Sequence, residues 1–289
     1  MSIKETATTI TLIHPDNADT SVAILKYGAT VYSWKLNGHE QLWLSEGAQL
    51  DGSKPVRGGI PLVFPVFGKN NTKEFLKELP QHGFARTSTW KFNGKIRSYP
   101  STIQFELNEK IADQELAKLW PFDFKVLLNI QLGYDHLKTS VQVTNNSTIP
   151  FDFNWLFHTY HNVDVGIDNI YVKNLTTEKT HDNLTGKNAK EVNVNVIIAQ
   201  EVERRYLNVP TSKTVQVINK RTHNPIASLI RENLADVVVW NPWIEKSASM
   251  VDFTPKAGYK HMLCLEPGEI DHFITLKPKK TWKASQYMY

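Results

Sequence analysis

Two segments of the chain carry groups suited to moving protons. Phe151-Asp-Phe-Asn-Trp-Leu-Phe-His-Thr-Tyr160 reads as a strand. Alternation then puts Phe151, Phe153, Trp155 and Phe157 on one face, and Asp152, Asn154, Leu156, His158 and Tyr160 on the other. The aromatic face needs a second sheet to cover it, while the polar face either lines a cleft or faces water. His158 is a candidate proton donor, because an imidazole titrates near pH ~6.5 and a neighbouring carboxylate lifts that value. Met262-Leu-Cys-Leu-Glu-Pro-Gly268 reads as an apolar strand ended by a Pro-Gly turn, with Met262, Cys264 and Glu266 on one face. A carboxylate at the mouth of such a strand is partly desolvated and tuned upward for general-base work. Capping the turn is its plainer alternative. Nothing in the spacing brings Glu266 to His158.

His158 and His161 form an H-x-x-H spacing, which invites a metal reading. On a strand, residues three apart point to opposite faces, and no third ligand has convincing spacing. No metal is expected. Arg57 and Arg86 each stand beside glycines, in Lys54-Pro-Val-Arg-Gly-Gly-Ile-Pro-Leu-Val-Phe-Pro-Val-Phe-Gly68 and Pro80-Gln-His-Gly-Phe-Ala-Arg86. Gly-rich loops bring guanidinium groups and backbone amides up to a ligand, and the guanidinium fork suits phosphate or carboxylate. Either arginine alone fits a structural ion pair equally well.

The elements that must hold these groups are mostly strands. Residues 22–36 predict two strand segments broken at Gly28 and followed by the Asn37-Gly38 turn signal. Further runs fall at 102–107, 124–132, 137–143, 151–160, 214–218, 236–240, 261–265 and 273–276, most separated by Gly, Pro, Asn or Asp. The best helical candidate is 111–119, entered through Glu109-Lys110. The prolines and glycines of 54–68 exclude a central strand there. The pattern predicts an all-β fold, a large antiparallel β-sandwich with few short helices. No linker or composition shift divides the chain, so residues 1–289 are expected to form a single domain.

Composition narrows the function classes. The chain is 41% hydrophobic with 8 Trp, 10 Tyr and 13 Phe, enough for a well-filled core and against disorder. Lys and Arg number 33 against 29 Asp and Glu, and they are interspersed. The short basic run at 277–283 carries no nucleic-acid signal. Cys264 is the sole cysteine, which rules out an intrachain disulfide and a CxxC motif. No stretch approaches the ~20 apolar residues of a membrane span, and the first residues lack a signal-peptide core. A cytoplasmic protein with no nucleic-acid or membrane partner is expected.

Five segments, in this order, resemble the hexose-6-phosphate mutarotases of the aldose 1-epimerase superfamily, most closely the fungal ones. They are Arg57-Gly-Gly-Ile-Pro-Leu-Val-Phe-Pro-Val-Phe-Gly68, Leu79-Pro-Gln-His-Gly-Phe-Ala-Arg86, Leu156-Phe-His-Thr-Tyr160, Val239-Trp-Asn-Pro-Trp-Ile-Glu-Lys246 and Cys264-Leu-Glu-Pro-Gly268. The resemblance runs over nearly the whole chain. It implies a galactose-mutarotase-like supersandwich with no cofactor, and His158 and Glu266 in the catalytic positions. It also implies that Arg57, Gln81 and Arg86 bind substrate, the arginines near its phosphate, with His82 in the same loop. An acidic binding residue, usually Asp, falls where this chain has Glu203, one methylene longer. His161 stands where the family commonly has an aromatic residue.

The function so implied is interconversion of the α and β anomers of a hexose 6-phosphate. Three other readings compete. An epimerase of unphosphorylated aldoses has no need of the arginine cluster. A glycoside hydrolase needs a second carboxylate opposite the first. A non-catalytic sugar-phosphate sensor keeps Arg57 and Arg86 but can dispense with Glu266.

Overall fold

The computed structural model describes residues 2–69 and 73–289. Period-two alternation carries most of these into antiparallel strands. Phe124–Leu132 and Leu137–Asn145 each bury every second residue, and they pair without a slip from Leu137 opposite Leu132 to Asn145 opposite Phe124. Register is fixed this firmly because a one-residue shift would turn every apolar side chain to water.

Among the described residues the strands form three sheets. Ser2–Glu5, Thr9–His14, Asn17–Leu25, Thr30–Leu36 and His39–Glu40 make a five-stranded meander. A nine-stranded sheet runs from Asn195–Val196 at one edge to Lys91–Arg97 at the other. An eight-stranded sheet carries the candidate chemistry. Its order is Asn188–Glu191, Thr177–Asp182, Val202–Leu207, Asp236–Asn241, Met262–Leu276, Phe151–Phe157 and Leu62–Val63, with Tyr160–Asn162 also paired to Met262–Leu276. The all-β sandwich expected from the pattern is therefore present.

The aromatic face of Phe151–Phe157 is covered as alternation requires. Phe151 and Phe153 are buried, Phe153 meets Trp282 of the nine-stranded sheet edge to face at 5.5 Å, and Phe151 meets Trp120 at 4.8 Å. Trp155 on the same face has 0% exposure. Truncating such a residue costs about 3–5 kcal/mol. The opposite side of the sheet has its own smaller core of Trp43, Tyr160, Trp240, Phe253, Tyr259, Met262 and Cys264, which is the floor beneath the site.

Three local expectations need correcting. The 151–160 run is not one strand: Phe151–Phe157 ends, and Tyr160–Asn162 begins after a break at His158 and Thr159. At the break the amide of His158 donates to the carbonyl of Pro61 at 2.9 Å, so the loop from Arg57 captures the backbone there. The Pro267-Gly268 pair does not end its strand either. Met262–Leu276 continues through it for 15 residues, which also joins the runs expected at 261–265 and 273–276. The irregularity comes later. Phe153 pairs with Ile274 and Trp155 with Glu269, so residues 270–273 bulge opposite Asn154. Pro267 lies within the paired stretch, opposite Val237 of Asp236–Asn241. Finally, the helix expected at 111–119 is a single turn, Gln114–Ala117, capped by the Asp113 carboxylate, which accepts from the amides of Glu115 and Leu116. Asn108 explains the shortening, since its side chain accepts from Lys110 and Ile111 amides and holds them in a turn. No helix of the described residues is long and apolar enough to cross a membrane.

Candidate functional site

The Gly-rich segments fold as sequence composition requires, as irregular backbone pressed against the sheet. Gly59 has φ +66°, and a Cβ there would sit 2.2 Å from the carbonyl oxygen of Val31. Gly83 has φ +70°, and its Cβ would meet the Phe64 carbonyl oxygen at 2.2 Å. Only glycine fits at either place. These close approaches bring Arg57 and the Gln81–Arg86 loop to the rim of one cavity.

That cavity, of about 300 Å³, is lined by Arg57, Phe67, Gln81, His82, Arg86, His158, Glu203, Val238, Trp240, Lys246, Met250 and Glu266. All seven residues singled out by sequence, His158, Glu266, Arg57, Gln81, His82, Arg86 and Glu203, therefore converge on it. His161 does not. It is 2% exposed, lies beside the Leu42 and Leu263 backbones, and burial lowers its pKa to about 4.

His158 and Glu266 meet at the cavity base. Nδ1 of His158 is 3.4 Å from Oε1 of Glu266, with the side chains 12% and 3% exposed. The contact is longer than a formed hydrogen bond, and Nδ1 has no hydrogen-bond partner. The imidazole stacks on Tyr160 at 4.8 Å and 11°, which fixes its plane. Burial pushes the Glu266 carboxyl well above the usual carboxylate range, and the nearby Glu203 adds to it. The expectation that a carboxylate lifts His158 is corrected here. Burial takes it well below the usual imidazole value, and His82, Arg86 and Arg57 push the same way. A carboxyl that is itself held neutral offers no charge to oppose them. With both groups uncharged the pair holds one proton, and the neutral form and the ion pair would differ only by its transfer between them.

The cations are positioned by partners that sequence reading largely missed. Nε of Arg57 donates to both carboxylate oxygens of Asp252 at 3.3 Å, and one terminal nitrogen donates to the Tyr160 hydroxyl at 3.3 Å. Tyr160 and then Asp252 hold its pKa up, against the pull of burial. Arg86 donates to the Gln81 carbonyl at 2.8 Å, its Nε is buried without a partner, and burial lowers its pKa to about 10. Nδ1 of His82 accepts from the Gly68 amide at 3.2 Å, so its ring proton sits on Nε2, 3.3 Å from the side-chain nitrogen of Gln81, which is itself a donor and leaves that proton free for a ligand. Burial, then Arg86 and Arg57, lowers His82 to about 3. Glu203 enters from Val202–Leu207, and its Oε1 accepts from Nδ2 of Asn183 at 2.8 Å. It is not in an ion pair with Arg204, which is engaged with Asp182 at 3.2 Å.

The family model for aldose 1-epimerase matches residues 8–289. The chain belongs to the aldose 1-epimerase family. A relative from Cenchrus ciliaris, provisionally named a glucose-6-phosphate 1-epimerase, is 35% identical over 270 residues, covering 90% of this chain and 78% of its own. One from Escherichia coli K12, with the same provisional name, is 30% identical over 266 residues, covering 88% and 82%. A solved structure from Salmonella typhimurium, provisionally described as a mutarotase, superposes with a TM-score of 0.83 at 24% identity over 99% of this chain and 92% of that one. That last likeness establishes the fold.

This aldose 1-epimerase family member is thus an enzyme of the isomerase class. Beyond the residues named from sequence, its cavity adds Lys246, Trp240, Met250, Val238 and Phe67. The segment 239–246 carried the family resemblance, which was the available signal for Trp240 and Lys246. Asp252 had no local signal, since its pairing with Arg57 spans 195 residues of chain. Among the described residues one donor set suits a metal: His158, Cys264 and Glu266, whose ligand atoms all lie within 4.8 Å of one another. The thiol opposes that use. Burial raises the pKa of Cys264 well above its ordinary value, and a thiol must ionise to ligate.

Proposed function

We propose that this enzyme interconverts the α and β anomers of a hexose 6-phosphate, most simply D-glucose 6-phosphate, with His158 and Glu266 as its acid–base pair. The observation that carries the reading is the 3.4 Å approach of His158 to Glu266 beneath a rim that bears Arg57 and Arg86. The names of the relatives from Cenchrus ciliaris and Escherichia coli point to the same substrate.

Glu266 as carboxylate takes the proton of the C1 hydroxyl while protonated His158 gives one to the ring oxygen. The C1–O5 bond breaks and C1 becomes an aldehyde carbon. Rotation about C1–C2 presents its other face, and the ring recloses as both protons travel back. No net proton is lost, so the shared proton of the pair is the whole requirement. Glu203, Gln81 and His82 bind the sugar, and Arg57 and Arg86 bind the phosphate, whose charge of about −1.5 to −2 at neutral pH complements theirs.

The phosphate has a second effect in this reading. Arg86 and Arg57 are among the charges that hold His158 unprotonated. A bound dianion offsets them and favours the protonated imidazole that the ring oxygen needs. Phosphate recognition and acid strength are then coupled, and an unphosphorylated sugar turns over more slowly even when bound. NMR measurement of anomer exchange with glucose 6-phosphate and glucose side by side tests the proposal. Faster exchange of the phosphorylated sugar is expected; equal catalysis of both would remove the phosphate from the account.

A further inference from the structure

A second cavity, of about 420 Å³, opens beside the first, and Phe67 walls both. Arg205 lines it. On Val202–Leu207 this residue lies two positions beyond Glu203, so one strand face sends a carboxylate to the first cavity and a guanidinium to the second. Lys69, Asn154 and Asn183 line it as well, together with Asp271 and His272 of the 270–273 bulge. The bulge is held in place. Asn154 donates to the carbonyls of Glu269 and His272 at 3.3 and 3.1 Å, and one oxygen of the buried Asp236 accepts from the amides of Ile270 and Asp271 at 2.8 Å.

Arg205 is half-buried, yet its Nε is shielded from solvent and has no hydrogen-bond partner. The carboxylates nearby are already engaged. Asp271 accepts from Nζ of Lys179 at 2.7 and 2.8 Å and lies 3.2 Å from Nε2 of His272, and the other oxygen of Asp236 accepts from the Asn208 amide. Lys69 spends one donor on the Leu79 carbonyl at 3.1 Å and has others to offer. A buried donor left unmatched is costly, and the guanidinium fork matches the oxygens of a phosphoryl group.

We propose that this cavity is a second oxyanion site, in which Arg205 and Lys69 hold inorganic phosphate or a phosphate monoester while the first cavity is occupied. It goes beyond the epimerase reading and does not depend on it. The two cavities communicate through Asn183, which lines the second and donates to Glu203 of the first at 2.8 Å.

The test is a ³¹P NMR titration with inorganic phosphate and, separately, glycerol 3-phosphate. Wild-type protein should bind more than one equivalent of at least one of these, and Arg205→Gln should weaken the second equivalent at least tenfold. Arg205→Lys should recover part of it. Tighter binding of glycerol 3-phosphate would identify a monoester as the source of the phosphoryl group, and tighter inorganic phosphate the free ion. A second arm uses Arg57→Ala/Arg86→Ala, checked for an intact thermal transition, so that the first cavity contributes no phosphate binding. There too phosphate should bind, and addition of Arg205→Gln should abolish it. Absence of the second equivalent and of binding in the second arm, or binding indifferent to Arg205→Gln, overturns the proposal whether or not glucose 6-phosphate proves to be the substrate.

Discussion

Nδ1 of His158 lies 3.4 Å from Oε1 of Glu266, and burial drives both toward their uncharged forms. A single proton shared across that gap gives an acid and a base whichever residue holds it. This suits a reaction that runs the same transfers forward and back. Under the proposed mechanism both residues are needed in each half of the cycle.

His158→Asn should therefore lower kcat by at least ~10², the scale of a general acid–base group. His161→Phe should leave kcat within about threefold, since its side chain is outside the cavity. Saturation-transfer NMR on the two anomers measures both. Added chelator should leave the wild-type rate unchanged; loss restored by a divalent ion would instead give His158, Cys264 and Glu266 a metal-binding role.

Arg57→Ala and Arg86→Ala should harm glucose 6-phosphate far more than glucose. Losing a charge-assisted contact costs about 1.5–3 kcal/mol, or more than tenfold in kcat/KM. Arg57 also anchors Asp252 and Tyr160, so its thermal midpoint should fall further than that of Arg86→Ala. Equal losses on both sugars would mean that the arginines serve only to hold their loops.

Glu203→Gln keeps the length of the side chain and removes its charge. If Glu203 accepts from sugar hydroxyls, kcat/KM for glucose 6-phosphate should fall by about 1.5–3 kcal/mol with little change in thermal midpoint. Glu203→Asp restores the residue usual in the family but shortens the reach, and a loss there would show the backbone placed for the longer chain. Near-wild-type activity for Glu203→Gln would move the acidic binding role elsewhere, and Asp252 is then the first residue to substitute.

Acid stability offers a test through His161. Its native pKa of about 4 lies below the ordinary imidazole value of 6.5. Between those values the unfolded chain binds a proton that the native chain refuses, so this contribution falls as pH drops through that window. His82 and His158, also depressed, act with the same sign, whereas the raised carboxyl of Glu266 stabilises the acid side and loses that contribution as pH rises through its native pKa. Relative to wild type, His161→Phe should lose on the order of 2 kcal/mol less between pH 7 and pH 4.5. Denaturant midpoints at the two values check it, and parallel declines would deny that His161 is buried uncharged.

Local pattern made much of this legible. Strict alternation in 124–132 and in the aromatic face of 151–157 announced the strands and the sheet that covers them. The resemblance segments held six of the seven cavity residues singled out from sequence, and Glu203 came from the stretch between the third and fourth of them. What stayed hidden depends on distant chain. Pro267-Gly268 looks like a turn because its composition does, yet pairing to the Asp236–Asn241 strand carries it through. The break at His158 depends on the Pro61 carbonyl, and the hold on Arg57 depends on Asp252. The direction of the His158 shift was misread for the same reason, since the number of cations and the depth of burial around it are tertiary facts.

The central claim rests most directly on Glu266→Gln, which removes one ionisable group and keeps the shape. Magnetisation transfer between the anomers of glucose 6-phosphate should show kcat reduced at least ~10²-fold, with an unchanged thermal transition. Exchange within threefold of wild type would contradict the acid–base pair.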